Sequence, residues 1–197
     1  MFFDEGHRYT VNGEDVPSVS ELCRFISREV YGDVSQWRLD NAAERGTKVH
    51  KACEVLDLYG KVEVESDILP YLQAYLAFRK EHTVHWDTVE KSAYHPEDMY
   101  AGTIDRAGVL DGQPVIVDIK TSSAVQKRLA IAQLNLYRRM LELGGCKSYQ
   151  LYILHLKPDA TYTLVPIERN DDVPNALLTL HRLMQKKKRK KKEETNA

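Results

Sequence analysis

A single heptapeptide limits what this chain can fold into more than any other feature. Residues 114–120 read PVIVDIK, an apolar, β-branched run that ends in an acid and a base. Side chains alternate between the two faces of a β-strand, so Asp118 and Lys120 point to the same face as Ile116. Each charge would be costly in apolar surroundings without a partner or a metal ion. The pattern predicts a buried strand that presents an acid and a base together at its end.

The order of the predicted elements around this strand indicates the fold class. An N-terminal hairpin turns at Asn12-Gly13, helices follow up to about residue 79, and strands dominate from residue 88. The predicted strands cover residues 8–11, 88–91, 101–105, 114–120, 149–156 and 162–167, and the predicted helices cover residues 22–26, 37–44, 46–59, 66–79, 125–143 and 173–184. This order predicts an α/β fold with a mixed central β-sheet flanked by helices, preceded by an N-terminal hairpin and helical region.

Residues typical of helix ends set several of these boundaries. Gly46-Thr47 begins the third helix and Gly60 ends it. Ser66 is the expected N-cap of the fourth helix, and Pro70 is tolerated in its first turn. Gly144-Gly145 ends the long helix after the central strands.

Length and charge predict one domain with a basic C-terminal tail. The chain has 197 residues, 43% of them hydrophobic, and no repeat or Pro/Gly-rich linker, which predicts a single domain at residues 1–185. The whole chain has 28 basic and 29 acidic residues. Residues 186–197 contain seven of the basic residues and two of the acidic ones, so residues 1–185 have 21 basic and 27 acidic residues. We expect this tail to be disordered, serving solubility or targeting. The alternatives are weak attraction to phosphates or an adaptor role towards partner proteins.

Cysteine usage and hydropathy exclude several classes. Cys23, Cys53 and Cys146 include no Cys-x-x-Cys pair, so neither a zinc ribbon nor an iron–sulfur cluster is expected, and all three are interpreted as buried or partly buried thiols. No apolar run is long enough to cross a bilayer, and residues 1–5 lack the basic start of a signal peptide. These features predict a cytoplasmic protein without a membrane partner.

Two acids and a lysine form the predicted centre of a functional site. Asp105 closes one predicted strand, and the turn at Asp111-Gly112 brings it beside Asp118 on the next strand. Two such acids would repel each other unless a cation lies between them. Carboxylates can hold a divalent cation, and the ammonium of Lys120 can orient water and stabilise developing charge. The combination predicts metal-dependent hydrolysis.

Four further residues fit the same site. His50 lies one turn into the helix that begins at Gly46-Thr47, and Glu90 lies on the first central strand. Gln133 and Tyr137 are four residues apart and share one face of the long helix. Taken singly, His50 would be a histidine at the edge of the core and the Gln133–Tyr137 pair an ordinary helix face. Their order and spacing favour a functional reading.

Together these elements resemble the PD-(D/E)XK nuclease superfamily in its RecB-like branch. The resemblance spans about residues 50–137 and is carried by His50 after Gly46-Thr47, Glu90, Gly102-Thr103-Ile104-Asp105, Asp118-Ile119-Lys120 and Gln133-x-x-x-Tyr137. Upstream, Pro17-Ser18-Val19-Ser20, Trp37 and Arg45-Gly46-Thr47 resemble phage exonucleases of this branch and the mitochondrial genome-maintenance exonuclease. The first superfamily motif often reads Pro-Asp, where this chain has Ile104-Asp105.

The resemblance implies a restriction-endonuclease-like core and a ligand set for a metal ion. Asp105, Asp118 and the main-chain carbonyl of Ile119 would bind Mg²⁺ or Mn²⁺, with His50 as an additional ligand. An imidazole ligand favours Mn²⁺ over Mg²⁺. Lys120 would position and activate the attacking water.

Outside that ligand set, the resemblance implies supporting roles for three residues. Gln133 and Tyr137 would contact the phosphate backbone or brace the lysine. Glu90 would orient the helix or a metal-bound water. No iron–sulfur cluster is implied, because the four cysteines that hold one in some relatives are absent here.

The function implied by the resemblance is a metal-dependent, phage-encoded DNA exonuclease used in DNA recombination or repair, with a single-strand-binding or recombination protein as a partner. Single-stranded DNA is the expected substrate, because threading a strand into a site roofed by helices needs few phosphate contacts. Resection of duplex ends is one alternative, and a non-catalytic nucleic-acid-binding module of the same fold is another. Trp37 and Trp86 are interpreted as core residues, with base stacking as the alternative.

Overall fold

The computed structural model describes residues 2–5, 8–143, 145 and 148–195, with side chains described between residues 8 and 185. Gly144, predicted to end the long helix, and Cys146 lie outside the described residues. The elements are β1 Phe2–Glu5, β2 Arg8–Val11, β3 Glu14–Val16, α1 Val19–Leu22, α2 Arg24–Tyr31, α3 Gln36–Tyr59, α4 Leu69–Glu81, β4 Val84–His95, β5 Tyr100–Leu110, β6 Gln113–Lys120, α5 Lys127–Leu141, β7 Gln150–Leu156, β8 Tyr162–Ile167 and α6 Asp172–Thr195.

A five-stranded mixed sheet, in the order β4-β5-β6-β7-β8, forms the centre of the molecule. All neighbouring strands are antiparallel except β6 and β7, which are parallel and joined through α5. A parallel pair needs a crossover of this kind, whereas the tight turn at Asp111-Gly112 suffices between β5 and β6. The mixed sheet flanked by helices confirms the predicted fold class.

Helices cover both faces of this sheet. Ile116 packs into a core with residues of α1, α5 and α6. Val115, Val117 and Ile119 pack into a second core with residues of α3 and α4. The predicted alternation of β6 is therefore confirmed, and the face that carries Ile116 also carries Asp118 and Lys120.

A small antiparallel sheet, β1-β2-β3, packs beside the N-terminal end of β5. Its predicted turn at Asn12-Gly13 is confirmed by positive φ angles of 53° and 86°. The hydroxyls of Tyr9 and Thr103 form a hydrogen bond of 2.9 Å. The amide of Ala101 donates to the carbonyl of Pro17 at 3.0 Å. These contacts hold the N-terminal region against the strand that carries Asp105.

Several predicted boundaries are wrong, and three of them concern residues that the sequence analysis singled out. Gly46 does not begin a helix, because α3 runs unbroken from Gln36 to Tyr59 and strong helix formers around Gly46 offset its cost of about 1 kcal/mol. Ile68, not Ser66, is the N-cap of α4, whose first turn contains Pro70 as predicted. Asp105 does not end its strand, because β5 continues to Leu110.

Two further expectations differ from the structure. Trp86 packs on Phe78 as a core residue should, but Trp37 is 74% exposed, so the core interpretation is wrong for Trp37. The last helix was expected to end near residue 184, yet the backbone of α6 is helical to Thr195 and so includes the basic run. Lysine, arginine and glutamate are good helix formers, and the segment contains neither glycine nor proline.

Cys23 and Cys53 are buried and unbridged, as predicted. Burial raises the pKa of the Cys23 thiol to about 12. Within the described ranges, no helix combines the length and the apolar character needed to span a membrane.

Candidate active site

An open cleft of about 800 Å³ lies between α3, α5 and the ends of the central strands. All eight residues assigned to the site from the sequence line it: His50, Glu90, Asp105, Asp118, Ile119, Lys120, Gln133 and Tyr137. Residues from five helices and strands, α3, β4, β5, β6 and α5, thus meet in one place.

His50, Glu90 and Asp105 form the tightest group in the cleft. The ligand atoms of the three side chains lie within 4.8 Å of one another. Nδ1 of His50 is 3.1 Å from Oε1 of Glu90 and 3.5 Å from Oδ2 of Asp105. Its Nε2 is 2.9 Å from the carbonyl oxygen of Ile119. Three of the four predicted metal-binding groups therefore converge, and Glu90 joins them.

An irregular backbone directs Glu90 into this group. Glu90 has φ 43°, in the left-handed region that side chains other than glycine rarely adopt. The β4–β5 pairing skips this position: Val89 pairs with Arg106 and Lys91 with Ile104. Such strain persists only where surrounding contacts hold it, and it is common at functional sites. The sequence showed a strand residue but not this conformation.

The register of β5 and β6 places Asp105 opposite Asp118. The ladder between the two strands stops at Arg106 and Val117. One residue further, Oδ2 of Asp105 accepts a hydrogen bond from the amide of Ile119 at 2.8 Å. The Asp105 side chain thus replaces a main-chain partner where the strands separate, and this separation opens the cleft.

Asp118 and Lys120 form an ion pair beside the three-residue group. Nζ of Lys120 is 2.6 Å from Oδ2 of Asp118, although the angles do not meet hydrogen-bond geometry. Oδ1 of Asp118 is buried without a hydrogen-bond partner among the described residues. Burial raises the pKa of Asp118, and the neighbouring Lys120 ammonium opposes that shift. The structure thus places Asp118 in an ion pair with the lysine, and neither carboxylate oxygen has a hydrogen bond among the described residues.

Gln133 and Tyr137 lie on the α5 wall of the cleft, as predicted. Nε2 of Gln133 is 3.4 Å from the Tyr137 hydroxyl, and burial holds the pKa of Tyr137 well above its usual value. The Tyr137 ring packs directly against the backbone of Gly102, where a Cβ would lie only 2.8 Å from the ring. Tyr137 remains a neutral hydroxyl able to donate to an anion.

Two residues around the site were not predicted from the sequence. Arg106 is fully buried and its Nη1 donates to Oε1 of Glu90 at 3.0 Å. Asp57 lies two turns after His50 on α3 and accepts from Nε of Arg106 at 2.7 Å. One signal was available: Arg106 directly follows Asp105 and precedes the largely apolar residues 107–110.

The charge of His50 should make stability depend on pH. Burial alone would lower the His50 pKa, but Asp105 and Glu90 outweigh it and raise the pKa from 6.5 to about 9. A raised folded-state pKa contributes stability that is fully present below pH 6.5 and is lost as pH rises through 9. In EDTA, we expect this contribution to be on the order of 3 kcal/mol.

Chemical denaturation of the wild-type protein and His50→Ala between pH 6 and pH 10 measures this effect. The difference in free energy of unfolding between the two should shrink towards high pH. A difference that stays constant across the range would contradict a charged His50.

No protein-family model matches the sequence, and no curated protein matches it. Among solved structures, the chain is similar to one described as the crystal structure of SSO0001, with a TM-score of 0.44 and 18% sequence identity. The similarity covers 88% of this chain and 76% of that chain. A similarity of this size carries no functional argument, so the function rests on the geometry of the cleft.

Proposed function

We propose that this chain is a metal-dependent DNA exonuclease that hydrolyses phosphodiester bonds at DNA ends and prefers single-stranded DNA. The observation that carries the proposal is the convergence of His50, Glu90 and Asp105 in one cleft with the Asp118–Lys120 pair. A cation-binding group next to an acid and a lysine is a set of residues suited to hydrolysis at a phosphate.

The donor atoms fit a divalent cation. One imidazole nitrogen and two carboxylate oxygens lie within 4.8 Å of one another, close enough for all three to bind one ion. Oδ1 of Asp118, which is buried without a hydrogen-bond partner among the described residues, is a further oxygen that could turn to a cation. A nitrogen ligand among oxygen ligands suits Mn²⁺, while Mg²⁺ prefers oxygen alone. When bound, the ion would polarise a phosphoryl oxygen and make water a better nucleophile.

The other side chains of the cleft would have separate roles in metal binding, water activation and phosphate binding. His50 must lose its shared proton before its nitrogen can bind a cation, so binding releases a proton. Lys120 carries a positive charge held in place by Asp118, where it can orient a water and stabilise charge on the phosphate. Gln133 and Tyr137 supply uncharged donors on the opposite wall.

The charge balance of the cleft supports a narrow strand as substrate. The lining has four acids and only two lysines besides His50: Glu54, Glu90, Asp105, Asp118, Lys51 and Lys120. Hydroxyls supply most of the other polar groups: Ser18, Ser20, Thr47, Thr103, Thr121 and Ser122. A duplex-binding surface usually neutralises many phosphates with basic residues. Few basic groups and many hydroxyls favour a single strand with few phosphate contacts.

Replacing Asp118 by asparagine should abolish most DNA degradation. The substitution keeps the side-chain shape but removes the charge that holds Lys120, so we expect a loss of roughly 10²-fold or more in turnover. The assay would combine end-labelled single-stranded DNA, duplex DNA and a closed circle with Mn²⁺, Mg²⁺ or EDTA. Asp15→Asn, an exposed acid paired with Arg8, is the matched control and should retain activity.

Each outcome of this assay decides between the alternatives. Metal-dependent loss of linear DNA with the circle spared would support an exonuclease, and the faster substrate would separate single-strand trimming from duplex-end resection. Cutting of the circle would contradict end dependence. Binding of DNA without cleavage in any metal would favour the non-catalytic binding module.

A further inference from the structure

Arg106 lies behind the candidate metal-binding group with its whole side chain buried. Its Nη1 donates to Oε1 of Glu90 at 3.0 Å and to the carbonyl oxygen of Asp105 at 2.6 Å. Its Nε donates to Oδ2 of Asp57 at 2.7 Å. One guanidinium therefore contacts the side chain of one candidate ligand, the main chain of another, and helix α3.

The contact with Asp57 links Arg106 to the third candidate ligand. Asp57 follows His50 by seven residues on α3, which is close to two helical turns, so both side chains lie on the same face. Asp57 also accepts from the Tyr75 hydroxyl at 2.6 Å and from Arg79. Arg106 thus sets the distance between the helix that carries His50 and the strands that carry Glu90 and Asp105.

We propose that Arg106 is a positioning residue that fixes the carboxylate of Glu90 for cation binding and so sets the affinity of the site for a divalent ion. Oε1 of Glu90 already accepts from Arg106 and contacts Nδ1 of His50 at 3.1 Å. That leaves Oε2 as the oxygen that can turn to a cation. The inference rests on the proposed function only in requiring that the cleft binds a divalent ion.

Two physical arguments favour this role over simple packing. A fully buried guanidinium is often no better for stability than an apolar residue of similar size, and Nη2 of Arg106 has no partner among the described residues. Glu90 also has a left-handed backbone, which relaxes unless surrounding contacts hold it. Arg106 is the contact that holds its carboxylate from the buried side.

The test compares Arg106→Lys with Arg79→Lys. Lysine keeps the charge but loses the fork that reaches Glu90 and Asp57 together. Arg79 is the matched control because it contacts the same Asp57 and, among the described contacts, does not reach Glu90. Mn²⁺ affinity would be measured by titration calorimetry, and the Mn²⁺ concentration at half-maximal DNA cleavage would be measured in parallel.

We expect Arg106→Lys to weaken Mn²⁺ binding about 10- to 100-fold, as for other residues that orient metal ligands. Arg79→Lys should stay within about 3-fold of the wild-type protein, since it leaves the Glu90 contact intact. Saturating Mn²⁺ should restore most of the turnover of Arg106→Lys. A purely structural role would lower the fraction of folded protein without moving the Mn²⁺ midpoint.

Several results would overturn the inference. Equal Mn²⁺ affinity in Arg106→Lys and the wild-type protein is one, and equal weakening in Arg79→Lys is another. If Arg106→Lys does not fold, Asp57→Asn takes its place, and an unchanged Mn²⁺ affinity in that variant would also overturn it. A wild-type protein that binds Mn²⁺ but cuts no DNA would refute the nuclease and leave the calorimetric test of Arg106 valid. A wild-type protein that binds no Mn²⁺ would refute both.

Discussion

Replacing Lys120 by alanine should reduce turnover on single-stranded DNA by about 10²- to 10⁴-fold while Mn²⁺ still binds. The ammonium of Lys120 lies in the cleft beside Asp118, with Nζ 2.6 Å from Oδ2. The Lys120 side chain is about one-third exposed. Its charge can therefore reach a water or a phosphate oxygen in the cleft. Removing a positive charge from beside Asp105 and Asp118 should not weaken their attraction for a cation.

Lys51→Ala provides the matched control for this experiment. Lys51 lines the same cleft, but its ammonium is paired with Glu54 at 2.8 Å and its side chain is 68% exposed. We expect a change of less than about 3-fold in turnover, because an exposed pair contributes little. Single-turnover cleavage at saturating Mn²⁺, with Mn²⁺ binding by calorimetry, separates chemistry from metal binding. Equal turnover in Lys120→Ala and the wild-type protein would remove Lys120 from the catalytic set.

Replacing Gly108 by alanine should destabilise the fold by about 3 kcal/mol or more. A Cβ at this position would lie 2.1 Å from the carbonyl oxygen of His85, 2.8 Å from Cα of Trp86 and 2.9 Å from the amide nitrogen of Asp87. All three atoms belong to the backbone of β4, beside the register shift between Trp86 and Thr88. A backbone cannot move aside as a flexible side chain does, so the strands themselves would have to separate.

Gly46→Ala is the control, and we expect it to raise the free energy of unfolding instead of lowering it. A Cβ at Gly46 would have Thr121 Oγ1 as its nearest neighbour, at 3.9 Å. Since Gly46 lies in the interior of α3, alanine should stabilise the protein by about 0.5–1 kcal/mol. Denaturant unfolding of both variants measures the two effects. Similar free energies of unfolding for Gly108→Ala and the wild-type protein would mean that β4 and β5 are not as close as the structure shows.

Local patterns were sufficient to predict the layered architecture. The alternation of β6, the turn residues Asn12-Gly13 and Asp111-Gly112, and the periodicity of the long helix each depend on a few neighbouring residues. The turns at Asp111-Gly112 and Asn12-Gly13 both have the positive φ angles that their residues favour. Boundaries were less accurate, because the end of a helix or strand is set by packing as much as by propensity. The unbroken α3 through Gly46 and the extension of β5 beyond Asp105 are examples.

The residues that line the candidate site could also be predicted from the sequence, but the contacts among them could not. All eight predicted residues line one cleft, and the alternation of β6 already placed Asp118 and Lys120 on one face. Nothing in the sequence indicated that Glu90 lies in direct contact with His50, or that Asp105 joins them while Asp118 pairs with the lysine. Those groupings depend on strand register and on the left-handed backbone of Glu90. A conformation of that kind is held by distant contacts and has no signature in the neighbouring sequence.

The sequence by itself determined the order of the elements, the alternation that directs Asp118 and Lys120 to one face, and the identity of the acids, the histidine and the lysine. Only the tertiary structure decided which of these atoms meet. His50 and Glu90 are 40 residues apart, and Arg106 joins Asp57 over 49 residues. Such contacts form only when α3 packs against the sheet. The charge on His50 has the same origin, because its pKa is raised by carboxylates that folding brings within about 3.5 Å.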